Sequence, residues 1–330
     1  MDLTLAQILD ATNGELLQGS VKARITRLCT DTRILQEGDL FVALRGPNFN
    51  GEDFVPAALA GGACGAIVSH LYAADEPLPE GRCLVRVDDA VEALGAIARA
   101  WRRVVAPRIA AITGSCGKTT TKEMAAHICR GPLRLLATEG NRNNHIGLPL
   151  TLLRLEPGHE AAIVEVGMNH AGELAPLARI AEPEIGCVTM VGDAHIGNFP
   201  EGQSGVIAAK AELIEAMNPK GAAVLNADCE NSAILRRHYK MPRTVVTFGA
   251  HPAADVRVLR PRRVEPFGYA FDLRVFGETA PVTLALFGRY QAHNALAAAT
   301  IASLLGVRLD HIVASLETFR APGMRSEVTC

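Results

Sequence analysis

This chain lacks the features that mark several broad functional classes. Its net charge is only -2 at pH 7, so there is no bulk attraction to nucleic acid or to an anionic membrane, and an anionic ligand must be held by local groups. No uninterrupted apolar run is long enough to span a bilayer, and membrane insertion is not expected. The N-terminus, MDLTLAQILD, has no basic-then-apolar signal pattern. Repeats and low-complexity segments are absent. The eight cysteines (Cys29, Cys64, Cys83, Cys116, Cys129, Cys187, Cys229 and Cys330) show no C-x-x-C pair, which argues against a zinc site. Their scattered, mostly apolar contexts read as reduced thiols of a cytoplasmic protein.

What is present is ordinary globular composition, 48% hydrophobic and 21% charged, over 330 residues, enough for two or three domains of about 100–200 residues each. Residues 1–85 read as a small α/β unit, with strands at 40–44 and 66–68, a helix over 54–60, a turn-rich breaker at 74–81 and a strand at 83–87. Asp89–Arg103 reads as a helix with Asp89 and Glu92 as a capping box and Val91, Leu94, Ala98 and Trp101 on one face. From 86 to 320 apolar strands (109–113, 133–138, 161–166, 185–191, 222–225, 244–248) alternate with helices, which implies a mostly parallel sheet covered on both faces. A small antiparallel patch is expected at 256–259, 269–276 and 282–287, then helices over 290–305 and 310–319. The fold class is therefore α/β.

The most informative stretch is RIAAITGSCGKTTT at 108–121. An apolar strand leads into Gly114, Ser115, Cys116, Gly117, Lys118, Thr119 and Thr120, then a helix. Such a loop wraps a phosphate in backbone N–H groups at a helix N-terminus. Lys118 reaches the outer phosphates, and the Thr119 hydroxyl suits Mg²⁺. Ile112 stands where the general pattern has glycine. Cys116 is either a small residue that fits the loop or, beside Lys118 at a helix start, a favoured thiolate.

Ligands of open α/β sheets bind at the carboxyl ends of the strands, where several polar residues follow the expected strands. Glu165 ends an apolar run, as a metal-binding acid does, or is a solvent-facing carboxylate. Asn141, Asn143 and Asn144 suit either a binding loop or a plain turn. His195 is a ligand or a structural histidine. Lys210 has Val206, Ile207, Leu213 and Ile214 at i±3 and i±4, so it lies on an apolar helix face. It either snorkels or is a functional amine with a lowered pKa. A neutral amine there could take up CO₂ as a carbamate.

Taken together, T-G-S-C-G-K-T-T at 113–120, G-N-R-N-N-H-I-G-L-P-L at 140–150, E-V-G-M-N-H-A-G-E-L at 165–174, G-D-A-H at 192–195 and A-K-A-E-L-I at 209–214 resemble the Mur ligases. These are the ATP-dependent amino-acid-adding enzymes of peptidoglycan synthesis. The N-terminal T-D-T-R at 30–33, G-D-L-F-V-A-L-R-G at 38–46 and N-G-E-D-F-V at 50–55 are similar to the family's UDP-binding module. The family's position equivalent to Ile112 is likewise not glycine.

The resemblance implies a set of roles. Gly114–Thr120 hold ATP phosphates, with Asn143 and Asn144 nearby, and Asn294 contacts adenine. Thr119 and Glu165 hold one Mg²⁺, and His195 with carbamylated Lys210 holds a second. Lys118, Glu165, His195 and Lys210 form the catalytic set. Thr30, Asp31, Arg33, Arg45 and Gly46 contact the UDP end. The implied substrates are UDP-N-acetylmuramoyl-tripeptide and D-Ala-D-Ala, handled by a cytoplasmic monomer. Tyr290-Gln291 stands where the family has His-Asn, and His145 where an acid is common. Residues 321–330 are expected to be a linker toward the family's third domain, which lies outside this sequence. Two other readings stay open: a Mur-type ligase for another amino acid or a folylpolyglutamate synthase relative, and a catalytically silent binder of nucleotide and UDP-muropeptide.

Overall fold

A computed structural model describes residues 1–72, 78–265, 268–286 and 288–320. Residues 74–77 of the expected 74–81 breaker, Phe287 and the 321–330 linker lie outside the described residues. The chain divides into two compact units, Met1–Ala106 with His145–Pro157, and Pro107–Asn144 with Gly158–Cys330.

The first unit is built on a five-stranded sheet in the order Glu15–Gln18, Cys83–Val87, Gly65–Ser69, Leu40–Val42 and Leu28–Cys29. Only the Glu15–Gln18 strand is antiparallel. Helix Ala90–Val105 starts where the Asp89 carboxylate accepts from Val91 N–H at 2.7 Å and Glu92 N–H at 2.9 Å, satisfying two groups that the helix leaves unpaired. It ends at Ala106 in the left-handed region, with Pro107 unable to continue it. Its apolar face packs on helices Leu5–Thr12 and Gly147–Leu152. A division near residue 85 therefore differs from these units: the apolar stripe carries this helix into the first unit. Trp101 Nε1 donates to Leu155 O at 2.8 Å and ties in the 145–157 segment.

The second unit holds a nine-stranded sheet in the order Leu135–Ala137, Ala161–Glu165, Arg108–Thr113, Ile185–Val188, Ala222–Asn226, Thr244–Gly249, Val256–Arg263, Tyr269–Val275 and Glu278–Leu284. The first seven strands are parallel and the last two pairings antiparallel. The expected antiparallel patch is thus no separate sheet, because Phe248 pairs with Val256 and continues the parallel ladder. Helices Lys118–Cys129, Tyr290–Leu304 and Leu309–Thr318 bury the main apolar cluster against the sheet. Parallel pairing places the carboxyl ends of the first strands along one edge, where the polar segments gather. Among the described residues no helix is long and apolar enough to cross a membrane.

Replacing Trp101 by Phe leaves the Leu155 carbonyl without its donor. Trp101→Phe should lower the stability of the first unit by about 1–3 kcal/mol, read as a lower urea midpoint by far-UV circular dichroism. An unchanged midpoint would show that this bond does not anchor the segment.

Candidate functional site

The phosphate loop is shaped by backbone demands that only glycine meets. Gly114 has φ 151° and Gly117 φ 81°, conformations that side chains rarely adopt. A β-carbon at Gly114 would overlap Thr189 Oγ1, and one at Gly117 would overlap Asn294 Oδ1. The loop is pinned from the neighbouring strand end. Ser115 N–H donates to Met190 O at 2.8 Å. The Ser115 hydroxyl bridges Gly192 O and Gly192 N–H at 3.0 and 2.9 Å. Thr189 Oγ1 donates to Cys116 O and lies 3.2 Å from Thr113 O. For this the strand ends at Val188, three residues before the expected 191, since Thr189 and Met190 turn out to hold the loop. Lys118 Nζ donates to Gly114 O at 2.8 Å, arched across the loop.

Beside it, Ile112 pairs with Glu165 in parallel register. Glu165 is 2% exposed, not solvent-facing. Its Oε1 accepts from Asn143 Nδ2 at 2.8 Å, while Oε2 is buried with no hydrogen-bond partner. An orphaned buried carboxylate oxygen costs stability unless a cation or donor completes it, which fits a metal ligand. Among the described residues no group of three or more His, Cys, Asp or Glu side chains converges. Mg²⁺ needs no such group, since it takes one or two carboxylates along with phosphate oxygens and water. Asn143 therefore acts first as the clasp of Glu165, and its carbonyl accepts from Gly167 N–H at 2.9 Å. Asn144 is exposed.

Lys210, on helix Gln203–Ala216, is 2% exposed. It is buried rather than snorkelling, and no hydrogen bond of its Nζ is present among the described residues. Burial pushes its pKa from 10.5 down to about 7, aided by the positive charge of Lys118 and opposed by Glu212. The structure thus brings Lys210 within electrostatic reach of Lys118. His195 is not joined to this group by a hydrogen bond. It is exposed, with φ 65°, at the start of the turn Ile196–Asn198.

Glu212, which sequence reasoning gave no role, accepts from Gly172, Leu174 and Ala175 N–H at 2.6, 3.0 and 3.1 Å. It caps helix Leu174–Ala181 and ties the Lys210 helix to the loop after Glu165. Its spacing two residues after Lys210 was the available signal.

On the other side of the loop, a cavity of about 250 Å³ is lined by Cys116, Met190, Asn226, Asp228, Tyr290 and His293, among others. Asn294, buried beneath Gly117, also reaches it. Gln291 Oε1 accepts from Asn294 Nδ2 at 3.0 Å and fixes its orientation. Cys116 is exposed, with Sγ 3.4 Å from Met190 Sδ. Burial would raise the Asp228 carboxyl. Donation from Ala250 N–H, His293 and His251 N–H more than offsets this and holds it below its usual value.

In the first unit a cavity of about 200 Å³ is lined by Arg45, Glu52, Ser69, His70 and Asp88, among others. Glu52 is buried and accepts from Ser69 N–H at 2.8 Å and Ser69 Oγ at 2.6 Å. Arg45 lies 3.4 Å from it. Thr30, Asp31, Arg33 and Gly46 are not in this lining. Thr30 and Asp31 follow the parallel strand Leu28–Cys29. Asp31 is occupied by Arg33, whose hydrogen bonds hold its pKa down to about 2.

Residues 112–302 match the Mur ligase middle domain, and residues 24–102 match the Mur ligase family, catalytic domain. The UDP-N-acetylmuramoyl-tripeptide--D-alanyl-D-alanine ligase of Escherichia coli is 37% identical over 324 residues, covering 98% of this chain and 70% of its own length. MurF from Acinetobacter baumannii is similar in structure with a TM-score of 0.87 at 31% identity, covering 98% of this chain and 69% of that one. The MurF ligase of Thermotoga maritima in complex with ADP gives a TM-score of 0.78 at 26% identity, with 90% and 66% covered. The chain therefore spans roughly two thirds of the length of these relatives. With two of the family's domains matched in order and nearly every residue aligned, the chain belongs to the Mur ligase family.

Proposed function

We propose that this chain carries the UDP-substrate unit and the ATP unit of a ligase that joins D-Ala-D-Ala to UDP-N-acetylmuramoyl-tripeptide. The substrate assignment rests on the likeness to the Escherichia coli ligase. The chemistry rests on one observation above others, the buried Glu165 carboxylate on the strand beside the phosphate loop, with Oε2 left without a partner.

In the reaction, a tripeptide carboxylate oxygen bonds to the γ-phosphorus of ATP as the bond to ADP breaks, giving an acyl phosphate. The dipeptide amine then bonds to the acyl carbon, inorganic phosphate leaves with the bonding pair, and the amine loses a proton. Two anions must meet, so positioning and charge neutralisation dominate. Backbone N–H groups of 114–119 cradle the phosphates, and Lys118 exchanges Gly114 O for a phosphate oxygen. Thr119 and Glu165 would hold one Mg²⁺, and His195 with a Lys210 carbamate a second. When bound, these ions neutralise and orient the phosphate and carboxylate oxygens. The amine of Lys210, once neutral, bonds to the carbon of CO₂ and releases a proton, converting a buried cation into an anion. Asn294 and the cavity beside Gly117 would take the adenosine. Thr30, Asp31, Arg33, Arg45 and Gly46 would serve the UDP end. The protein would act as a cytoplasmic monomer.

The direct test is ATP-dependent formation of the UDP-muropentapeptide from UDP-tripeptide and D-Ala-D-Ala, with stoichiometric ADP and phosphate. Phosphate release that ignores the dipeptide would reject the assignment. Gly117→Ala should weaken nucleotide binding at least tenfold, about 1.4 kcal/mol, by calorimetric titration, because its β-carbon meets Asn294. Lys210→Ala should abolish ligation and regain part of it with short carboxylic acids; full activity would remove Lys210 from the chemistry. The folded pKa of Lys210 lies below its unfolded value, so between about 7 and 10.5 the native state holds one proton fewer. The Lys210 contribution to stability therefore rises with pH across that window. The neutral amine appears in the same direction, so a carbamate signal from ¹³C-bicarbonate should grow as pH rises through about 7 and be missing in Lys210→Ala.

A further inference from the structure

Lys122 is 0% exposed, the largest fully buried side chain of the second unit along with Lys210, and nothing in the reaction above uses it. It lies one helical turn beyond Lys118 on the helix that starts at the phosphate loop. Its ammonium donates to Thr138 O at 2.8 Å and pairs with Glu123. Thr138 is committed at three atoms. Its N–H donates to Ile163 O at 3.0 Å, its carbonyl receives Lys122, and its Oγ1 accepts from Glu165 N–H at 3.1 Å. The chain then turns back through Asn141, and Asn143 donates to Glu165 Oε1. Glu165 is thus held at its backbone by Thr138 and at its carboxylate by Asn143, both on the segment that Lys122 grips. A methionine of similar length would fill the same space without the cost of burying a cation.

We infer that Lys122 is a positioning residue for the metal-binding carboxylate: through Thr138 and the 139–143 turn it sets Glu165 so that Oε2 stays free for a divalent cation. The inference rests on the reading of Glu165 as an Mg²⁺ ligand. Lys122 acts through its contact with Thr138 O. Outer partners of this kind typically change metal affinity by about 10–100-fold.

The test is Mn²⁺ titration by electron paramagnetic resonance, with and without the non-hydrolysable nucleotide AMP-PNP. Lys122→Met should weaken Mn²⁺ binding in the nucleotide complex about tenfold or more, with metal-free AMP-PNP affinity unchanged. Thr138→Val should reproduce this loss, and Thr138→Ser, which keeps the hydroxyl, should restore affinity. Unchanged Mn²⁺ binding in Thr138→Val overturns the relay, whether or not Lys122→Met folds. Equal loss of metal-free nucleotide binding in both variants overturns it too, since that marks a general structural role. An unsubstituted protein that binds no Mn²⁺ with AMP-PNP also rejects the inference. One that binds Mn²⁺ but does not ligate rejects only the assigned reaction.

Discussion

Everything in the second unit depends on strand Arg108–Thr113 being paired in parallel on both sides, with Ala161–Glu165 and with Ile185–Val188. Parallel pairing brings the carboxyl ends of three strands side by side. It sets Glu165 beside Ile112, two residues before the first loop glycine, and it sets Thr189 against Thr113. A slip of one residue would turn every side chain to the opposite face, taking Glu165 away from the loop. The buried apolar runs on these strands make that slip costly, so the core maintains the register that the site needs.

Charge is arranged around this frame with little compensation. Lys210 is buried close enough to Lys118 to feel its charge. Glu165 keeps one oxygen unpaired in the interior. An isolated fold would gain by removing either feature. Features of this kind gather at functional sites, which is what makes this strand edge the candidate site.

Much of this was legible in the sequence where the relevant residues are neighbours along the chain or along a helix. The phosphate loop is a contiguous run, and the burial of Lys210 follows from its i±3 and i±4 neighbours. The alternation of apolar strands gave the parallel sheet. What was not legible comes from contacts distant in sequence. Thr189 and Met190 look like the end of a strand until they meet Ser115 and Cys116 across more than seventy positions. The first unit reaches past residue 85 because helix Ala90–Val105 packs on Leu5–Thr12, and Trp101 then ties in Leu155. Asn143 reads as a loop former until its amide is seen on Glu165. The Asp31–Arg33 pairing is local, yet it shows these two groups engaged with each other and away from the cavity of Arg45.

The continuity of the nine-stranded sheet also decides what its two borders offer to another strand. A long open sheet offers two unpaired borders to which another chain could add. One border here is a strand of only three residues, Leu135–Ala137. The other, Glu278–Leu284, carries Pro281, which has no N–H to offer, and its Thr283 N–H is already taken by Glu317 from the helix lying along it. The antiparallel extension thus moves the open border of the parallel sheet outward and ends it in a strand poorly suited to recruit a partner.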